Sequence, residues 1–237
     1  MAIPKKIHYC WFGKNKKNSL INHCIDSWKK NLPDYEIIEW NEDNFDICMN
    51  QYVKEAYEAK KWAFVSDYVR LYALNREGGI YFDTDVEVFK SFDSFLIHSF
   101  FSGFETYFDT ISPITAVMGA EKNNSLVQKL LNEYETISFV NKNGTYNTTT
   151  NTSRISEFLI SEYGVNADSD EYQTLKENIH LYPSSYFCTK SEESYSIHHF
   201  NGSWMPLKDR IKVYINKSNN IPNIIKRIYN SVYWRFL

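Results

Sequence analysis

The sequence predicts an α/β fold with a mostly parallel central sheet, because short apolar strands alternate along it with segments of helical periodicity. Its 237 residues are enough for one such domain with a sizeable core. The most informative stretch, residues 63–88, holds a helical pattern that ends at Gly78 and Gly79, then a short apolar strand, then two acids. Ligands of open α/β sheets bind beyond the carboxyl ends of strands, so we expect a functional site there.

Each element is predicted from periodicity and from turn residues. Aromatic-rich alternation predicts strands, and apolar residues three and four apart predict helices. We predict strands at residues 7–12, 35–40, 80–82, 86–89, 100–104, 114–118, 179–182 and 195–200. We predict helices at residues 20–30, 51–76, 125–136 and 154–163. Residues 141–151, rich in Asn, Thr and Gly, are expected to form a mobile loop.

Composition and charge exclude several classes of protein. The net charge of −3 argues against general nucleic-acid binding. No apolar run approaches the roughly 20 residues of a membrane span, and the first residues lack the apolar segment of a secretory signal. The four cysteines form no CxxC pair and show no zinc spacing. We therefore expect a cytoplasmic protein with reduced, mostly buried thiols.

Asp83 and Asp85 follow the predicted strand at residues 80–82 with one residue between them. Strand-like alternation would place both carboxylates on one face, where they repel each other unless a cation lies nearby. Mg²⁺ or Mn²⁺ is the natural choice, with diphosphate oxygens completing its coordination. Alone, an Asp-x-Asp pattern is weak evidence, since most such pairs lie in solvated loops.

The helix before this acid pair strengthens the interpretation. Asp67 and Arg70 are three residues apart and therefore share a helix face, in a segment that is otherwise largely apolar. A surface ion pair of little energetic value would also explain them. Charges close to an apolar face need partners, however, and the hydroxyls and phosphates of a sugar nucleotide would supply them.

Two further segments carry candidate ligand-binding groups. In the stretch 197–204, a histidine at the end of a strand is a candidate metal ligand. After it, Gly202 allows close backbone approach, Ser203 can donate to a phosphate, and Trp204 can cover the site. Trp11, near the end of the first strand, can stack on a nucleobase. Taken alone, each segment is better explained as ordinary histidines or core aromatic residues.

Together these segments resemble the glycosyltransferases that carry the DXD sugar-binding region, through Ser-Asp-x-x-Arg followed by Gly-Gly-x-Tyr-x-Asp-x-Asp. This group contains initiating mannosyltransferases, capsular polysaccharide transferases and, more distantly, the clostridial glucosylating toxins. The resemblance covers residues 3–89 and 198–204. It implies a GT-A fold, which is a single Rossmann-like nucleotide-sugar-binding domain with a mostly parallel sheet, here with an added C-terminal helix.

The resemblance also implies roles for the matching residues. Arg70, Asp83 and Asp85 would be catalytic. Asp85 and His199 would bind Mn²⁺ or Mg²⁺, and the likeness to a His-Phe-x-Gly segment favours His199 over His198. The residues expected at the donor are Trp11, Asp67, Arg70, Tyr81, Asp83, Ser203 and Trp204. One departure is the lack of a Gly-Pro step in residues 147–153, which leaves the acceptor side unassigned.

The activity implied is retaining transfer of a hexose from a nucleotide sugar, with UDP favoured over GDP. The acceptor would be a saccharide in bacterial capsule or O-antigen synthesis. A toxin-like transferase that modifies a protein is an alternative. A strand followed by Asp-x-Asp also resembles haloacid-dehalogenase-type phosphatases, with Asp83 as nucleophile, although that motif usually begins its domain. A non-catalytic sugar-binding protein is the last alternative, and the intact acids argue against it.

The end of the chain forms a separate prediction. We place the transferase domain at residues 1–206 and a basic extension at residues 207–237, which holds seven basic residues and one acid. Residues 221–237 combine apolar helical spacing with Lys and Arg, a pattern typical of an amphipathic helix on an anionic membrane. That helix would bring a cytoplasmic enzyme to a lipid-linked acceptor. Packing of the helix on the domain is an equal alternative.

Overall fold

The computed structural model describes residues 2–107, 110–113 and 115–201. Contacts within the chain divide it into Met1–His199 and Phe200–Leu237, and every described element belongs to the first unit. The helices are α1 (Ser19–Asn31), α2 (Gln51–Glu58), α3 (Trp62–Glu77), α4 (Ser125–Glu133), α5 (Asn151–Tyr163) and α6 (Ser184–Phe187). The strands are β1 (Lys6–Cys10), β2 (Glu36–Trp40), β3 (Gly79–Phe82), β4 (Val86–Val88), β5 (Phe100–Tyr107), β6 (Thr110–Pro113), β7 (Val117–Ala120), β8 (Gln173–Leu175), β9 (Ile179–Tyr182) and β10 (Ser196–His198).

The large sheet has eight strands among the described residues, in the order β2-β1-β3-β7-β5-β9-β8, with β6 paired to β5. Strand β1 is parallel to β2 and β3, β7 is antiparallel to β3 and β5, and β9 is parallel to β5. The strands β1, β2, β3, β5 and β9 therefore all run in one direction. This confirms the predicted α/β fold with a mostly parallel sheet.

Because of this topology, several segments that connect strands lie at the same edge of the sheet. The residues that follow β1, β2 and β3 all lie at that edge because those strands are co-directional. Since β7 runs the other way, the residues just before it lie there too. Strands β4 and β10 form a separate antiparallel pair in which His198 is opposite Val86. Segments distant in sequence therefore meet beyond the end of β3.

The end of α3 determines where β3 begins. Gly78 and Gly79 have φ angles of 64° and 114°, values that favour glycine, as the sequence predicts. The ring of His8 stabilises this turn, because its Nε2 donates to the Gly78 carbonyl at 2.7 Å and its Nδ1 accepts from the Trp40 indole at 3.1 Å. Both nitrogens of a neutral ring are thus used, and burial lowers the pKa of His8.

The predicted helix over residues 51–76 is in fact two helices, α2 and α3. Lys60 lies between them with a φ of 56°, and the Lys61 amide donates back to the Ala56 carbonyl at 2.8 Å. Helix α2 thus ends without the glycine or proline that commonly marks a helix end, so the local sequence does not predict the break. The strand predicted at residues 114–118 begins later than expected, as β7 at Val117–Ala120. Periodicity also fails to predict β6, β8 and α6, which have only four, three and four residues.

The sequence analysis also makes predictions about the burial of the cysteines and about membrane-spanning segments. Cys10, Cys24 and Cys188 are buried and Cys48 is exposed, which agrees with the expectation of mostly buried cysteines. Within the described part of the chain, no helix has both the length and the apolar character that a membrane span requires. The extension at residues 207–237, its predicted helix and the domain boundary at residue 206 lie outside the described residues. The mobility of residues 141–151 stays a prediction.

We predict that Gly79→Ala destabilises the protein by roughly 3 kcal/mol, because strain and steric overlap both contribute. A Cβ atom at this position would lie 2.7 Å from the Lys6 carbonyl oxygen. Gly164→Ala is the matched control, since Gly164 also has a positive φ, of 71°, but no atom within 4 Å of the added Cβ. The control should cost only about 1 kcal/mol in a urea denaturation experiment. Equal losses would contradict the tight contact at β3.

Candidate active site

Arg70 is the centre of the candidate site. It lies on α3 with 5% of its surface exposed, and its Nη2 is 3.2 Å from an oxygen of both Asp67 and Asp83. Its Nη1 donates to the Thr115 carbonyl at 3.0 Å. The guanidinium also lies over the ring of Tyr81, 4.5 Å from the ring centroid. One buried cation thus joins the helix, the end of β3 and the segment before β7.

Asp83 is held in place by both its backbone and its side chain. Its amide donates to the Ala116 carbonyl at 2.8 Å, and its Oδ1 accepts the Tyr81 hydroxyl at 2.9 Å. Tyr81 and Asp83 are two residues apart, and β-strand alternation places them on one side. Asp83 thus lies just beyond the carboxyl end of a central strand, where the sequence places it, and Tyr81 lies within that strand.

Asp83, Asp85 and His198 form a cluster in which one ligand atom of each lies within 4.8 Å of the others. The His198 Nε2 is 3.3 Å from Asp85 Oδ1, and both side chains are largely buried. Burial acts to lower the pKa of His198, but the Asp85 carboxylate, with Glu105 and Asp83 nearby, raises it to about 10. Two carboxylates and one imidazole suit a divalent cation such as Mn²⁺.

The structure places His198, and not His199, beside the acid pair. The His199 ring lies against Glu87, with Nε2 at 2.9 Å from the carboxylate, and only the His199 amide reaches Asp85, donating to its carbonyl at 3.0 Å. Glu87 also contacts His23 at 3.0 Å. The expected closeness of the His199 imidazole to Asp85 is therefore corrected. In β10 the side chain of His198 faces the cluster, a choice that the sequence alone left open.

Asp67 is less available to a ligand than the sequence analysis expects. Its side chain contacts Arg70 and accepts the backbone amide of Asn151, the first residue of α5, at 3.2 Å. Burial raises the pKa of Asp67 to about 6, although Arg70 opposes this. Asp67 therefore connects α3 to the start of α5, and its contact with a donor stays a prediction.

The remaining predicted donor residues are Trp11, Ser203 and Trp204. Trp11 follows β1 at the same edge of the sheet. Its indole donates to the Asn15 carbonyl at 2.7 Å, and the Lys17 ammonium lies 5.4 Å from its ring centroid. Stacking of Trp11 on a base stays a prediction. Ser203 and Trp204 are outside the described residues.

Two contributors to the site are missing from the sequence analysis. Thr115 acts through its backbone carbonyl, which no side-chain pattern reveals. Glu105 lies in β5, where its carboxylate is 3.8 Å from His198 Nδ1. A signal for Glu105 does exist, since it is an acid that follows the apolar run at residues 100–104, much as Asp83 follows β3.

The fold is that of GT-A glycosyltransferases. Residues 19–102 match the family described as "Glycosyltransferase sugar-binding region containing DXD motif", which confirms the resemblance seen in the sequence. Over these residues the chain is similar to the glycosyltransferases that contain this sugar-binding region, which gives it the enzyme class of a glycosyltransferase. No curated protein matches the sequence.

A solved structure supports the fold. The chain is similar to "PaToxG Glycosyltransferase", with a TM-score of 0.52 and 22% identity over 68% of this chain and 70% of that one. A glycosyltransferase involved in glycosylation of the major capsid of PBCV-1 has a TM-score of 0.49 and 10% identity, over 82% and 93% of the chains. A galactosyltransferase, LgtC, has a TM-score of 0.39 and 11% identity, over 76% and 74%.

We predict that Arg70→Met lowers the free energy of unfolding by about 3–5 kcal/mol, because it leaves buried carboxylates without their cation. Arg76→Met is the matched control on the same helix, since the Arg76 side chain is 59% exposed. The control should change stability by less than about 0.5 kcal/mol. Chemical denaturation followed by circular dichroism measures both. A small effect at Arg70 would show that the buried ion pairs contribute little.

Proposed function

We propose that the chain is a metal-dependent, retaining glycosyltransferase that moves a hexose from a nucleotide sugar, most simply a UDP-sugar, to a saccharide acceptor in bacterial surface polysaccharide synthesis. The observation that carries this proposal is the cluster of Asp83, Asp85 and His198 at the end of β3. Its donor atoms fit Mn²⁺ or Mg²⁺ by chemistry and by spacing. The sequence resemblance supports the finer points of donor and acceptor.

Residues Asp83, Asp85 and His198 would hold the cation, which when bound neutralises charge that develops on the leaving diphosphate. Arg70 supplies a second, permanent positive charge, and its position is fixed by Asp67, Tyr81 and the Thr115 carbonyl. A preorganised charge costs no rearrangement when the sugar–phosphate bond breaks. By resemblance, Ser203 and Trp204 would close over the diphosphate, and Trp11 would stack on the base.

Retention at the anomeric carbon follows, in this proposal, from attack on the same face as the departing diphosphate. An oxygen of that leaving group would accept the proton of the acceptor hydroxyl. The phosphatase alternative would require Asp83 to attack as a nucleophile. Its Oδ1 instead accepts from Tyr81 and pairs with Arg70, contacts that suit a fixed ligand better than an attacking group.

We predict that Asp85→Asn lowers donor turnover by roughly 100-fold or more, because the site loses an anionic ligand. The assay measures nucleoside diphosphate released from a panel of nucleotide sugars with Mn²⁺, and chelation should abolish the wild-type signal. Asp26→Asn is the control, since its side chain is 70% exposed, and it should retain full activity. Full activity of Asp85→Asn would reject the site. Acceptor screens with saccharides and with proteins then separate the two acceptor classes.

A second pair of variants tests which histidine serves the site. His198→Gln should weaken Mn²⁺ binding by about 10- to 100-fold, measured by calorimetry, since it removes an imidazole from the cluster. His199→Gln should bind Mn²⁺ as the wild type does, because its ring lies against Glu87. If His199→Gln weakens Mn²⁺ binding and His198→Gln does not, His199 is the ligand instead.

A further inference from the structure

Glu105 lies on the side of the His198 ring that faces away from Asp85. The Glu105 carboxylate is 3.8 Å from Nδ1, while the Asp85 carboxylate is 3.3 Å from Nε2. The side chains of His198 and Glu105 are only 12% and 13% exposed. Glu105 belongs to β5 of the large sheet, and His198 to the small pair of β4 and β10. The imidazole therefore lies between the Asp85 carboxylate, in the turn that joins β3 to β4, and the Glu105 carboxylate of β5.

Among the described residues, the His198 ring is the only basic group within ion-pair distance of Glu105. A largely buried carboxylate needs a partner to offset the loss of hydration. His198 is therefore the partner that offsets the burial of the Glu105 carboxylate. The contact is not a general feature of a charged surface.

A neutral imidazole carries its proton on one nitrogen and a lone pair on the other, and the hydrogen bond at one nitrogen decides which is which. A carboxylate beside Nδ1 holds the proton there and leaves the Nε2 lone pair directed at Asp83 and Asp85. We propose that Glu105 is a positioning residue that fixes the ring orientation and tautomer of His198 for cation binding. This inference rests on the proposed function, since it takes the cluster to be a cation site.

At 3.8 Å the contact is longer than a hydrogen bond. Contacts of this kind tighten when the site is loaded, and a cation at Nε2 would draw the ring into a fixed position. Glu105 itself is not a ligand in this arrangement. It acts only through His198.

The experiment measures Mn²⁺ affinity by calorimetry in four variants of the full chain. Glu105→Ala should weaken binding by about 10- to 100-fold. Glu105→Gln should restore most of the affinity, because an amide oxygen also accepts the Nδ1 proton. Glu105→Ala added to His198→Gln should cause little further loss, since Glu105 acts through the ring. Glu87→Ala is the matched control, because it removes the carboxylate beside His199 instead, and it should leave the affinity unchanged.

A second readout reports the tautomer directly. Long-range ¹H–¹⁵N correlation spectra of the Mg²⁺-loaded protein should show the His198 proton on Nδ1, and Glu105→Ala should give a mixture of tautomers. Wild-type affinity and an unchanged tautomer in Glu105→Ala would overturn the inference while leaving the proposed function intact. Failure of the wild type to bind Mn²⁺ would instead reject the proposed function itself. Thermal denaturation of each variant identifies any that fail to fold, and Glu105→Gln then carries the test.

Discussion

The buried guanidinium of Arg70 is the constraint on which the rest of the site depends. It is shared by Asp67 of α3 and Asp83 after β3, and it also bonds to the backbone before β7. A charge at this depth costs several kcal/mol if it loses its partners. The helix, the strand end and the loop therefore keep a fixed spacing. Asp83 belongs both to this buried network and to the candidate cation cluster, so the network sets the position of the cluster.

Among the described residues, the side chains around this point carry more negative than positive charge. Asp67, Asp83, Asp85 and Glu105 face two basic side chains, Arg70 and His198. Burial raises the pKa of Asp67 to about 6, whereas the carboxylates around His198, that of Asp85 first, raise its pKa to about 10 against the effect of burial. The proposed divalent cation would offset part of this negative charge, and a negatively charged diphosphate could then approach.

Much of this arrangement could be predicted from the sequence because it is local. The Gly-Gly end of α3, the strand β3 and the two acids after it lie within one short stretch, where periodicity and turn chemistry are informative. The choice between His198 and His199 could not be predicted, because it depends on how β10 pairs with β4 across more than a hundred residues. The role of Thr115 could not be predicted for another reason. It acts through its backbone carbonyl, which every type of residue has. Strand β7 places that carbonyl at the site because it runs antiparallel to its neighbours β3 and β5. This direction also depends on tertiary packing and not on the local sequence.

The pairing of β10 with β4 also has a consequence for biosynthesis. Both acids and Arg70 are among the first 85 residues of the chain, whereas the imidazole that completes the cluster is at residue 198. During translation the acid pair leaves the ribosome long before its histidine does. A nascent or prematurely terminated chain can therefore form the early strands and still lack a complete cluster. The order of synthesis thus makes the candidate site one of the last features of this unit to be assembled.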